Sequence, residues 1–176
     1  MANENEGPVE IAFVDDLTDN EIDLTEKLLS VPPGDECILY FDSSGGSAYC
    51  AVSLASIILL RGLRATGVVT GECSSAGLWI FAACRRRLVT PFSCMLFHPV
   101  KWESEENVGL NEAAEWARHF EILETDMDRL LPELFGAATD KIAAWNKAGR
   151  YVSGPELAEA GLAELIDLKT LDLFRQ

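Results

Sequence analysis

Cations are scarce in this chain: 14 lysines and arginines stand against 29 aspartates and glutamates, a formal net charge of −15 over 176 residues. A nucleic-acid backbone is gripped by clustered cations, so the sequence argues against that partner. Long hydrophobic runs are missing too. Even residues 51–60 stop at Arg61, whereas a bilayer span needs about 20 apolar residues. The first residues, Met1-Ala2-Asn3-Glu4-Asn5-Glu6, are acidic and lack the basic, apolar pattern of an export signal. A soluble chain in the cytoplasm, away from the membrane, is therefore expected. There is no C-x-x-C pair among Cys37, Cys50, Cys73, Cys84 and Cys94, which are odd in number and mostly sit inside apolar runs. They read as reduced core residues, with no metal or cofactor expected. The G-x-S-x-G nucleophile motif is also absent. With 48% hydrophobic residues, no low-complexity linker and no repeat beyond a strand-helix unit, residues 1–176 are expected to form one domain around one core.

What the chain does contain is a strand-to-helix elbow, Val68-Val69-Thr70-Gly71-Glu72-Cys73-Ser74-Ser75-Ala76-Gly77-Leu78-Trp79. The β-branched run predicts a strand over 65–70, Gly71 a turn, and the apolar spacing a helix from about Ala76. A serine there either caps the helix or presents an exposed hydroxyl for nucleophilic attack; Ser74 and Ser75 both qualify.

The rest of the chain frames this elbow. After a frayed start over 1–8, a strand is expected over 9–14, a helix near 22–30 ended by Pro32-Pro33-Gly34, and a strand over 37–41. That last run is continuously apolar, as in a parallel strand covered on both faces. It meets a turn, Asp42-Ser43-Ser44-Gly45-Gly46-Ser47, and a helix over 48–60. Repeated strand-turn-helix units imply a mainly parallel sheet whose ligand sites gather at the carboxyl ends of the strands. The Gly45-Gly46 bend and the Ser75 turn then face one cleft. Arg85-Arg86-Arg87 is expected to cap the elbow helix or to make a subunit contact. Short strands over 87–90 and 94–97 follow, and His98 leaves the second toward the same cleft. Beyond an acidic turn at 103–106, a helix over 110–135 carries a narrow stripe of Trp116, Phe120, Leu123, Met127, Leu130 and Leu134, suited to another helix or subunit. His119 lies beside it as a surface residue. Pro132 and Gly136 are expected to kink or end this helix. A helix from Thr139, one opened by Ser153-Gly154-Pro155-Glu156, a strand at 165–166 and a tail over 171–176 complete the reading.

In chain order, Asp42-Ser43-Ser44-Gly45-Gly46, Gly71 to Gly77, Leu96-Phe97-His98-Pro99 and Arg150-Tyr151-Val152-Ser153 through Gly161-Leu162 to Asp167 resemble motifs of the proteolytic subunit of the Clp protease. Its wider fold is shared with signal-peptide peptidase A and the crotonases. The resemblance, over residues 9–167, implies an α/β ClpP/crotonase-like fold of repeated β-β-α units with a mainly parallel sheet and a handle helix at 110–135. It implies a serine-type endopeptidase acting on peptides or unfolded proteins, with Ser75 as nucleophile, His98 as general base, and an oxyanion hole from the N–H groups of Gly46 and Ala76. It also implies a homo-oligomer of rings or stacked rings. An AAA+ ATPase unfoldase is the family's partner, but its docking uses a longer leader than the few residues before the first strand here, so docking is not a firm expectation. The family's third catalytic residue, an aspartate, is replaced by Gly149. Losing that acid lowers turnover about ten-thousand-fold in serine proteases. Asn146, Asp140 or Asp167 could substitute, the pair could act as a weak dyad, or the chain could be an inactive scaffold or regulatory subunit. A crotonase-like acyl-CoA enzyme is a further alternative, disfavoured by the lack of cations to hold nucleotide phosphates.

Overall fold

Strand and helix signals alternate along the chain, and the backbone follows them. The computed structural model describes residues 7–103 and 107–169; the start of the expected frayed end, the acidic turn beyond Glu103 and the expected tail lie outside the described residues. In order come β1 (Val9–Asp16), α1 (Glu21–Ser30), β2 (Glu36–Gly45), α2 (Ala48–Leu60), β3 (Arg64–Cys73), α3 (Gly77–Ala82), β4 (Arg86–Val89) and β5 (Cys94–Phe97). Then follow α4 (Leu110–Phe135), α5 (Thr139–Ala148), β6 (Arg150–Ser153), α6 (Gly154–Glu159) and β7 (Glu164–Leu165). Strands β1-β2-β3-β4-β7 form the main sheet in that order, all parallel. β5 adds to the far end of β3 and pairs antiparallel with β6. The α/β architecture with a mostly parallel sheet and a long helix is thus as expected.

The sheet's two faces are unequal. Cys37, Leu39 and Phe41 of β2 point into the main core, where Phe13, Leu54, Phe81 and the inner residues of the helices meet. Ile38 points to the other face, into a small cluster with Val68, Leu88 and Ile166. All three residues over 37–39 are buried, as the continuous run predicts, but the helices cover one side only.

Two strands run further than expected. Gly71 is not a turn: β3 passes through it to Cys73, and β2 continues to Gly45 after a bulge between Phe41 and Ser43. The reason is a close approach. A Cβ on Gly71 would lie 2.4 Å from Asp42 Oδ1, and that oxygen accepts a hydrogen bond from Glu72 N at 3.0 Å. The elbow helix is correspondingly short and wholly buried. It ends at Ala82, so Arg86 and Arg87 belong to β4 instead of its last turn. Arg87 nevertheless caps carbonyls: its guanidinium donates to Ala82, Cys84, Leu162 and Phe135, fixing α3 to the end of α4.

α4 continues through Pro132 to Phe135 and closes at Gly136, whose N–H reaches Pro132 O at 2.9 Å. Proline removes one helical bond, and burial of Leu131, Pro132 and Phe135 offsets it. The buried line is Met127-Leu131-Phe135, while Leu130 and Leu134 are half-buried. A helix advancing 100° per residue drifts off a 3.5-residue stripe. Trp79 Nε1 donates to Met127 O at 3.2 Å, which ties the helix to the elbow.

All five cysteines are free, four of them buried. Burial pushes the Cys37 and Cys50 thiols up to about 11 and raises Cys73 and Cys84 well above the ordinary thiol range. Since the thiolate is the reactive form, a disulfide reagent at pH 8 should titrate at most one thiol quickly in the native protein. That thiol is the half-buried Cys94, and all five should react after unfolding in guanidinium. Rapid reaction of two or more would contradict this packing.

Candidate active site

The cleft is assembled by backbone hydrogen bonds between the ends of β2, β3 and β5. Ser43, 2% exposed, stitches the glycine bend: its Oγ donates to Asp15 O at 2.5 Å and accepts from Gly45 N at 3.1 Å, while its carbonyl accepts from Ser74 N at 3.0 Å. Leu96 clamps both elbow serines. Leu96 N donates to Ser74 Oγ at 2.9 Å, and Ser75 N donates to Leu96 O at 3.0 Å. Ser74 is 1% exposed with its hydroxyl engaged, so it serves structure. Ser75 is the accessible hydroxyl. Its φ is +52°, a left-handed conformation that costs a non-glycine residue on the order of 1–3 kcal/mol and commonly marks functional sites.

His98 follows directly on β5, two residues beyond the Leu96 that holds the elbow. Ser75, His98, Gly46 and Ala76 line one cavity of about 230 Å³, with Trp79, Val100 and Met127 as its apolar wall and Lys101 as its cation. All four sequence-predicted site residues therefore meet. Within the elbow, Gly77 N bonds to Ser74 O and Leu78 N to Ser75 O. The N–H groups of Ala76 and Gly46 have no acceptor among the described residues, which leaves two donors free at the cavity.

Ser75 Oγ and His98 are not hydrogen-bonded to each other. His98 Nδ1 lies 2.6 Å from Pro99 O. A carbonyl only accepts, so this contact puts the proton on Nδ1 and leaves the Nε2 lone pair free. Gly149, at the position of the family's acid, closes α5 with φ +63°. Of the candidate substitutes, Asn146 is turned elsewhere: its Nδ2 donates to Asp128 Oδ1 at 2.6 Å. Burial lifts the Asp128 carboxyl above its ordinary range, and the Asn146 bond opposes the lift. Asp140 sits exposed in the first turn of α5, and Asp167 accepts from Lys169 N at 2.9 Å.

Gly45 and Pro99 stand in the motifs read from the sequence, but the sequence assigns neither a role of its own. A Cβ on Gly45 would fall 2.6 Å from Ser75 Cβ, 2.8 Å from Ser74 O and 3.0 Å from Ala76 N. A Cβ on Gly46 would instead meet Thr18 Oγ1 at 2.6 Å. Gly45 is thus the residue packed beneath the elbow. The double glycine is a signal for close approach, but nothing local says which one bears it.

This sheet, elbow and long helix have the fold of the proteolytic subunit of the Clp protease. Among solved structures the chain is similar to a mutant of ClpP1 from Listeria monocytogenes, at 18% identity over 90% of each chain with a TM-score of 0.76. No protein-family model matches the chain. No curated protein matches it either.

Proposed function

We propose that this protein is a serine-type peptidase of the ClpP kind, with Ser75 as nucleophile and His98 as general base. The observation that carries the reading is the meeting, in one cavity, of a left-handed serine, two acceptor-free N–H groups and an imidazole whose Nδ1 is already bonded. In the reaction His98 Nε2 takes the Ser75 proton as Oγ bonds to the scissile carbonyl carbon, and the N–H groups of Gly46 and Ala76 receive the oxyanion. The C–N bond then breaks, the imidazolium returns its proton to the departing amine, and water hydrolyses the acyl-serine by the same route. The Pro99 carbonyl does part of the missing acid's work, since it fixes the tautomer and ring orientation. As a neutral acceptor it stabilises the imidazolium less than a carboxylate would, so turnover is expected to be low. Substrates are peptides or unfolded proteins, and the chain works as a homo-oligomer in the cytoplasm.

The second reading, an inactive scaffold or regulatory subunit, is favoured by Gly149 and by the absence of a Ser75–His98 hydrogen bond. A fluorophosphonate probe separates the two. Peptidase chemistry predicts an adduct that peptide mapping assigns to Ser75 and that Ser75→Ala abolishes. A folded protein that forms no adduct, or forms it on Ser74, would favour the scaffold.

A further inference from the structure

The first half of α4 holds aromatic rings that the core does not use. Tyr49 Oη lies 2.6 Å from His119 Nε2, with the two rings within 11° of parallel and their centroids 6.2 Å apart. That combination is an edge-to-edge pair in nearly one plane. The Phe120 ring stands at 61° to His119, with centroids 5.4 Å apart. Trp102 stacks on Phe120 at 4.2 Å, and Trp116 stands perpendicular to Trp102. The Tyr49, Trp116, His119 and Phe120 rings form walls of differing orientation around a cavity of about 400 Å³, whose remaining lining is Glu103 and Glu115, while Trp102 packs on Phe120 and Trp116 outside that lining. Arg118 holds the Glu115 carboxylate at 2.5 and 2.9 Å. Glu103 has no ion pair among the described residues, so it supplies the uncompensated charge.

The aromatic cavity and the Ser75 cavity are both lined from the start of α2 and from the segment after His98. Ala48 lines one and Tyr49 the other, and Lys101 lines one and Glu103 the other. We propose that this pocket binds the guanidinium of an arginine side chain in the peptide held across Ser75; the inference rests on the peptidase reading for what carries that cation. Ring faces are negative and attract cations, and a planar guanidinium stacks on them more readily than an ammonium does. The chain's net charge of −15 draws cations to the surface. An apolar side chain seated there would desolvate Glu103 without compensation.

The test uses the Ser75→Ala protein, so that binding is read without turnover. A short arginine peptide and its citrulline counterpart, equal in shape but neutral, are titrated against tryptophan emission, to which Trp102 and Trp116 contribute. A saturable change is expected for the arginine peptide, with half-saturation about tenfold higher for citrulline. Trp116→Leu should raise the arginine value by a similar factor, and Glu103→Gln should raise it while flattening its salt dependence. Equal binding of the two peptides, or no saturable response, overturns the proposal. So does a response that disappears as light scattering reports assembly, because a second copy would then own the pocket. Each of those failures leaves fluorophosphonate labelling of the unmutated protein intact, and failed labelling leaves this binding intact.

Discussion

Gly45→Ala is expected to lower stability by about 3 kcal/mol and to abolish labelling of Ser75. The new methyl would need space already taken by Ser75 Cβ at 2.6 Å and Ser74 O at 2.8 Å, and the backbone there has φ +114°. Strain at such a φ and overpacking each cost roughly 1–3 kcal/mol. In a chain of this size that is a fall in melting temperature of roughly 10 °C. The same methyl sits 3.0 Å from Ala76 N, crowding a donor of the proposed oxyanion hole, and loss of one such donor costs about a hundredfold to a thousandfold in rate. Gly136→Ala is the control: its φ is +73°, with nothing within 4 Å of the added methyl, so it should cost only about 1 kcal/mol and leave labelling unchanged. Differential scanning calorimetry and the labelling rate read both effects. Equal melting shifts for the two variants would show that the elbow does not press on Gly45.

The second large effect is expected at His98. In the proposed reaction the imidazole, with the Pro99 carbonyl as its Nδ1 partner and no carboxylate bonded to it among the described residues, is the base on which Ser75 depends. His98→Ala should slow fluorophosphonate labelling on the order of a thousandfold, within the usual range for a general base. Because the ring is only half-buried, folding should survive, and circular dichroism would check that. Labelling at an undiminished rate would mean that Ser75 is activated by something else.

These residues were legible to different degrees. Helices over 48–60 and 110–135 could be placed from apolar spacing, a Gly-Gly turn before one and Gly136 after the other, because those signals are local. That His98 and Ser75 line one cavity was legible through motif order, which also put Gly149 at the position of the family's acid. The resemblance favours Ser75 over Ser74, but what occupies the Ser74 hydroxyl is Leu96 N, 22 residues away, which no local window shows. Gly71 looks like a turn in any local window, and only Asp42, on the neighbouring strand, shows why a strand needs glycine there. The partner of His98 Nδ1 is a main-chain carbonyl, which no side-chain motif encodes. On α4 the sequence stripe and the buried line diverge because the helix meets the core along part of its length, leaving Trp116 and Phe120 to the aromatic pocket.

The central claim is that Ser75 is a nucleophile set beside two waiting N–H donors. A crystal structure of the fluorophosphonate-treated protein measures this most directly. The account predicts phosphorus bonded to Ser75 Oγ and a phosphonyl oxygen about 2.7–3.1 Å from both Gly46 N and Ala76 N. An unmodified Ser75 after prolonged exposure, or a phosphonyl oxygen turned away from both amides, would contradict it.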